Sequence, residues 1–176
     1  MSMGFLNTKY KRGPFLLMVW LTGLALVSSC GYYSFKGALP SHLKTVAVPL
    51  FYSQAQEPEV AEELTNAVID KFIADNTLKV TDEDQADMII TGTILPIPPP
   101  KPAIVKSGEQ VAEMLIKVTA KVKCEDVRLN KVRFNSSFSQ EISLDATAGL
   151  EERQQAIKEA LDIIAEDIVN TTLSGW

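Results

Sequence analysis

The centre of the chain reads Met114-Leu115-Ile116-Lys117-Val118-Thr119-Ala120-Lys121-Val122-Lys123-Cys124-Glu125. Apolar side chains occupy its even positions, and polar or charged side chains occupy most of its odd positions. Because successive side chains of a β-strand point to opposite faces, this alternation predicts a long strand with one buried and one solvated face. The strand extends over residues 111–127. Cys124 lies on its apolar side, so we expect a small buried hydrophobic residue rather than a reactive thiol.

A second alternating segment, residues 131–144, follows after a short break. Its apolar residues are mostly even-numbered too, so the turn must set even residues opposite even residues to keep both apolar sets on one face. A three-residue turn over residues 128–130 meets this condition, with Asn130 in the left-handed conformation that asparagine tolerates. This register predicts two pairs of opposite charge: Glu125 with Arg133, and Lys117 with Glu141.

Two amphipathic helices and further strands flank this hairpin. One apolar stripe of helical spacing runs from Pro58 to about Ala74, and another runs from Gly149 to Thr172. Residues 43–51 and 86–97 are predicted strands, and Pro49 places the first at a sheet edge or bulge because proline has no N–H to donate. We therefore predict an α+β fold, a two-layer sandwich with two helices packed on one face of a mainly antiparallel four-stranded sheet.

The first 29 residues have the layout of a secretory signal. A basic start is followed by an apolar run from Phe15 to Val27, which is shorter than the roughly 20 residues that span a bilayer. The sequence Val27-Ser28-Ser29-Cys30 resembles the lipobox of bacterial lipoproteins. We therefore expect cleavage before Cys30 and lipid on its thiol, with an ordinary cleaved signal or an uncleaved anchor as alternatives. Two or more acyl chains would make the attachment stable.

The predicted organisation is a lipoprotein signal peptide over residues 1–29, a lipidated tether over residues 30–42 and one sandwich domain over residues 43–176. The signal contains three basic residues and no acidic ones. Without it, 14 basic residues remain against 22 acidic ones, a net charge of −8. An acidic domain argues against non-specific binding of nucleic acid.

The sequence offers little catalytic or metal-binding chemistry. The single histidine, His42, lies in a polar segment where we expect it to be solvated. We find no zinc-ligand spacing, no nucleophile–histidine–acid set and no phosphate-binding glycine motif, so we predict no enzyme, no metal site and no cofactor beyond the lipid on Cys30. The basic residues of the hairpin form a candidate site for an anionic glycolipid, with an ordinary solvated face as the alternative: Lys117, Lys121, Lys123, Lys131 and Arg133.

Four segments in their order and spacing carry a family resemblance: Cys30-Gly31-Tyr32-Tyr33-Ser34-Phe35, residues 43–51, residues 63–68 and residues 86–92. Together they resemble the LptE family of outer-membrane lipopolysaccharide-assembly lipoproteins. The resemblance implies a two-helix, four-stranded sandwich inside the lumen of a large β-barrel, the translocon LptD. There the lipoprotein would act as plug and assembly factor while lipopolysaccharide moves to the outer leaflet, without a hydrolytic step.

The resemblance also implies a lipid-anchored location on the periplasmic side of the outer membrane, which Gly31 after the predicted lipidated cysteine fits. A second class of function stays open on the sequence. The opening strand and helix of the domain also look like those of other periplasmic lipoproteins. The chain could therefore be a lipoprotein that activates or scaffolds a periplasmic enzyme or a secretion pore.

Overall fold

A computed structural model describes residues 39–57, 59–103 and 113–174. The predicted signal peptide and Cys30 lie outside these residues, as does the predicted tether up to residue 38. The described strands and helices are, in chain order, β1 (Thr45–Ala47), β2 (Tyr52–Ser53), α1 (Val60–Asp75), β3 (Lys79–Val80), β4 (Met88–Ile94), β5 (Lys101–Pro102), β6 (Glu113–Asp126), β7 (Lys131–Asp145) and α2 (Leu150–Ser174), with a 3-10 turn at Glu83–Gln85.

All seven described strands belong to one mixed sheet. β6 pairs antiparallel with β7 on one side and with β4 and β5 on the other. β4 pairs parallel with β1 and, farther along, with β2, while β3 pairs parallel with β1. In the described part of the chain the strands therefore fill five columns, with β3 at one edge and β7 at the other.

The predicted α+β class with two helices is confirmed, but the predicted four-stranded, mainly antiparallel sheet is wrong: the sheet is mixed and has seven strands. The parallel pairs arise because α1 is a crossover between strands, and a crossover returns the chain parallel to its starting strand. Part of the difference in strand number arises because Pro49 interrupts the predicted strand of residues 43–51. The ladder stops after Ala47, and the chain pairs with β4 again only at β2.

The hydrophobic core lies between the two helices and the even-numbered face of the sheet. Both predicted apolar stripes are buried there, and α2 packs against β6 and β7. α1 ends where Asn76 adopts a left-handed conformation, with φ of 57°, and donates its N–H to the carbonyl of Phe72 over 3.0 Å. The principal core residues are Leu64, Val68, Phe72, Ile90, Ile94, Ile116, Val118, Val122, Cys124, Leu161, Ile164 and Ile168.

The predicted register of the β6–β7 hairpin holds along most of its length, and Lys117 lies opposite Glu141 as expected. Between Cys124 and Glu125 a β-bulge shifts the register by one residue, so that Glu125 lies opposite Val132. The predicted three-residue turn is therefore wrong, because residues 127–130 form a four-residue turn. Asn130 does adopt the predicted left-handed conformation, with φ of 49°.

Candidate functional site

The sheet face that points away from the core is polar, and we call the part formed by β4, β6 and β7 the outer face. Lys121 lies at its centre, directly between Thr93 of β4 and Ser137 of β7. One row nearer the hairpin turn, Lys123 lies between Thr91 and Asn135. Lysines alternating along one strand are about 7 Å apart. The outer face thus sets two ammonium groups among hydroxyl and amide groups, which are suitable donors to a phosphate.

Two lysines of the outer face already have carboxylate partners. Lys117 forms an ion pair with Glu141 at 3.3 Å between Nζ and Oε1, as the register predicted. Lys123 pairs with Glu125 at 2.7 Å, so the predicted pairing of Glu125 with Arg133 is wrong. The bulge is the cause, since it moves Arg133 out of register with Glu125. Lys121 is exposed and forms no ion pair with any residue that the structure describes.

The other two predicted basic residues do not join this row. Lys131 lies opposite Asp126, and directly opposed residues of a ladder share a face, so the bulge turns Lys131 toward the helix side of the sheet. The charge of Arg133 acts on Cys124 and Asp126, which are both buried on that side. The structure therefore brings Lys117, Lys121 and Lys123 together and separates Lys131 and Arg133 from them.

A buried polar cluster lies at the turn end of the hairpin. The Asp126 side chain is fully buried and accepts hydrogen bonds from His42 Nε2 and from the N–H of Leu129, both at 2.9 Å. Burial alone would raise the pKa of Asp126, but these hydrogen bonds and the nearby positive charges hold it below its ordinary value. The expectation that His42 is simply solvated is therefore wrong, because it is a partner of a buried carboxylate.

A second buried carboxylate, Asp87, lies just before β4. It accepts hydrogen bonds from the backbone N–H groups of Lys44 and Thr45, at 2.8 and 3.1 Å, and pairs with Arg128 Nε at 2.6 Å. Burial would raise the pKa of Asp87, but these hydrogen bonds and the Arg128 charge lower it. Through these hydrogen bonds and the ion pair, Asp87 and Asp126 hold the start of β1 and the hairpin turn against the sheet. They therefore fix the point where the predicted tether enters the domain.

The sequence contained a signal for this cluster that periodicity alone did not reveal. Asp126 occupies an even position, where the β6 pattern calls for an apolar residue. A lone acid on a buried face needs donors, and His42 is the only histidine available. Within the described ranges, no group of histidine, cysteine and acidic residues could hold a metal ion. No described helix combines the length and apolar character needed to cross a bilayer.

Comparison with known families identifies the domain. The model of the LptE family, described as lipopolysaccharide-assembly, matches residues 43–172. The chain belongs to the LptE family. The match begins at the first residue after the predicted tether and includes every described strand, all of α1, and α2 as far as Thr172. No curated protein matches the sequence.

Comparison with solved structures finds chains of similar fold. A hypothetical protein from Chlamydia trachomatis is 12% identical, with 74% of this chain and 95% of that one covered and a TM-score of 0.55. A protein from Xanthomonas campestris is 10% identical, with 78% and 90% covered and a TM-score of 0.50. A minor lipoprotein from Acinetobacter baumannii is 14% identical, with 74% and 93% covered and a TM-score of 0.48. At these identities the first two likenesses support the fold alone.

Proposed function

We propose that this LptE-family chain is a non-catalytic outer-membrane lipoprotein that plugs and helps to assemble an LptD-type β-barrel translocon for lipopolysaccharide export. The observation that carries the proposal is the family match over residues 43–172, which covers nearly all of the predicted domain of residues 43–176. The acidic charge balance argues against nucleic acid as a partner, and the lysines of the outer face offer a local positive site for an anionic glycolipid.

The proposed location is the periplasmic side of the outer membrane, with covalent lipid on Cys30 as the anchor. Support comes from the basic start, the short apolar run and the lipobox-like Val27-Ser28-Ser29-Cys30. In this account residues 1–29 are removed and residues 30–42 connect the lipid to the domain. The Asp126–His42 hydrogen bond then holds the end of that connection against the sheet.

The proposed contact with lipopolysaccharide is the outer face, centred on Lys121. Lys121 has no carboxylate partner among the described residues, so binding a phosphate there breaks no ion pair that the structure shows. Lys117 and Lys123 flank Lys121 at alternate positions of β6, and their own ion pairs are exposed. Exposed ion pairs are worth only about 0–1 kcal/mol, so a multiply charged phosphate group can compete for both lysines.

The Lys121→Glu variant tests this contact. Reversing a charge beside a phosphate removes one charge-assisted hydrogen bond and adds repulsion, so we expect binding of purified lipopolysaccharide to weaken by about tenfold or more. Lys79→Glu is the matched control, because Lys79 is an exposed strand lysine in the column at the opposite edge of the sheet. Both variants should keep the wild-type unfolding midpoint.

Two results would count against the outer face as the binding surface. One is unchanged lipopolysaccharide affinity in Lys121→Glu. The other is an equal loss of affinity in Lys79→Glu, which would show that only the net charge of the domain matters. Measuring affinity at two salt concentrations separates the cases further, since a general charge effect is screened more strongly than a close phosphate contact.

A further inference from the structure

Tyr52 is an exposed aromatic residue whose direction is fixed by its neighbour in the chain. Phe51 is buried, its N–H donates to Thr65 Oγ1 of α1 over 3.0 Å, and its ring packs against Gly92. Because successive side chains of an extended chain point to opposite sides, Tyr52 points away from the core. Its pairing with Thr93 of β4 agrees, since paired residues share a face. Tyr52 is therefore held at the border of the outer face, where it is 65% exposed.

Tyr52 and Lys121 lie in one row that crosses four neighbouring strands. Thr93 pairs with Tyr52 on one side and with Lys121 on the other, and Ser137 of β7 continues the row beyond Lys121. Neighbouring strands are about 4.8 Å apart, so the Cα atoms of Tyr52 and Lys121 are about 10 Å apart. Only the short side chain of Thr93 lies between them in this row. The row therefore sets an aromatic ring and an ammonium group on either side of a low floor that carries a hydroxyl group.

A phosphorylated sugar has the three chemical features that this row can bind. The C–H groups on the face of a sugar ring are apolar and slightly positive, so they pack on the electron-rich face of an aromatic ring. The sugar hydroxyl groups can exchange hydrogen bonds with the hydroxyl groups of Thr93 and Ser137. A phosphate on the sugar accepts a charge-assisted hydrogen bond from the Lys121 ammonium group. A free phosphate would leave the Tyr52 ring unused, and an acyl chain would leave Lys121 unused.

We propose that Tyr52 is a ligand-binding residue beside the outer face and packs on the sugar ring of a phosphorylated sugar whose phosphate is bound by Lys121. The inference rests on the proposed lipopolysaccharide contact of this face, and it names the part of the glycolipid that the face recognises, a phosphorylated sugar. The site is preorganised, because the contacts of Phe51 with Thr65 and Gly92 hold the backbone at Tyr52 in place before a ligand binds.

Truncation of the Tyr52 ring tests the inference in the full chain, purified in mild detergent. We expect Tyr52→Ala to weaken the binding of purified lipopolysaccharide by about fivefold to tenfold, because the sugar loses its packing surface. Tyr52→Phe keeps the ring face, so its affinity should stay within about twofold of wild type. Ile73→Ala is the matched control and should bind like wild type, since Ile73 is similarly exposed (61%) but lies on α1, in the helix layer. Both alanine variants should keep the wild-type unfolding midpoint.

Two small probes separate the sugar contact from the phosphate contact. In NMR titrations, glucose 6-phosphate should bind the wild-type chain at least about fivefold more tightly than inorganic phosphate, because only the sugar phosphate reaches Tyr52. Tyr52→Ala should remove this difference and leave the affinity for inorganic phosphate unchanged. Lys121→Glu should weaken the binding of both probes, because both use the ammonium group.

A failure of the Tyr52 contact can be told apart from a failure of the proposed lipopolysaccharide contact. Weaker lipopolysaccharide binding in Lys121→Glu but not in Tyr52→Ala overturns the Tyr52 contact alone. Unchanged binding in both variants overturns the Tyr52 contact together with the outer-face contact, and weaker binding in Tyr52→Ala alone overturns a site shared with Lys121. The Tyr52 contact is also overturned if Tyr52→Phe or Ile73→Ala loses as much affinity as Tyr52→Ala, or if the wild-type chain binds both probes equally.

Discussion

Replacing Asp126 should show how much its hydrogen bonds, including the one to His42 at the end of the predicted tether, contribute to the stability of the domain. The Asp126 carboxylate is fully buried and serves two donors, His42 Nε2 and the N–H of Leu129. Asp126→Ala removes both hydrogen bonds at once. Asp126→Asn keeps an acceptor for Leu129 but loses the charge. His42→Ala removes one donor and leaves the buried carboxylate with its remaining partner.

The structure sets the magnitudes of these changes. Hydrogen bonds to a charged group contribute about 1.5–3 kcal/mol, but His42 is 30% exposed and the turn residue Leu129 is accessible to water. We therefore expect Asp126→Ala to lower the free energy of unfolding by about 2–3 kcal/mol. His42→Ala should cost about 1 kcal/mol. The two losses should not add in the double variant, because both variants remove the same hydrogen bond.

The pH dependence gives an independent test of the same contact. The pKa of Asp126 is lower in the folded chain than the ordinary value of 3.8. Its contribution to stability is therefore complete above about pH 4, and it is lost as the pH falls through the lowered pKa. Asp126→Asn cannot titrate, so its stability should fall less than that of wild type between pH 5 and the acid range. Asp87, whose pKa is also lowered, remains in both proteins.

Urea unfolding of the full chain, followed by circular dichroism at several pH values, measures all of these quantities. The interpretation is refuted if Asp126→Ala costs less than about 0.5 kcal/mol. It is equally refuted if Asp126→Asn and wild type lose the same stability in acid, since the buried carboxylate would then contribute nothing through its charge.

Three further predictions follow from the close packing and from the anchor. A Cβ at Gly92 would lie 3.2 Å from Phe51 Cε2 and 3.3 Å from the Lys121 carbonyl oxygen, so Gly92→Val should lower stability by about 1–3 kcal/mol in the same urea assay, and an unchanged midpoint would contradict this packing. Burial raises the pKa of the Cys124 thiol to about 12, so maleimide should label Cys124 only in urea; rapid labelling of the folded chain would be the contrary result. The wild-type chain should carry the mass of acyl groups on Cys30 and Cys30→Ala should lack it, and a wild-type chain without that mass would disprove the lipid anchor.

The parts of the fold that depend on local pattern could be predicted from the sequence. Strict alternation revealed β6 and most of β7, and helical spacing revealed the apolar stripes of both helices. An element that is buried on one side repeats its apolar residues with the period of that element. The parallel pairing of β1 with β4 could not be read this way. That pairing depends on a long-range crossover through α1, and the residue pattern within each strand does not show which strand is its neighbour.

The candidate site was predicted less completely than the fold, and the bulge explains why. Alternation placed Lys117, Lys121 and Lys123 on one face, which the structure shows. The same alternation put Lys131 and Arg133 on that face as well. However, β7 has one extra residue where it faces Cys124 and Glu125, so the register changes at that point. The contact of His42 with Asp126 joins residues 84 positions apart, and only the assembled sheet brings them together.

The proposed function makes this LptE-family domain a stoichiometric partner of an outer-membrane barrel. Purification of the full chain in mild detergent from its own membranes, followed by measurement of the mass and composition of the complex, tests that claim most directly. We expect one large β-barrel protein bound to each copy of the chain. Recovery of only a soluble enzyme, or of a ring made of this chain alone, would contradict it.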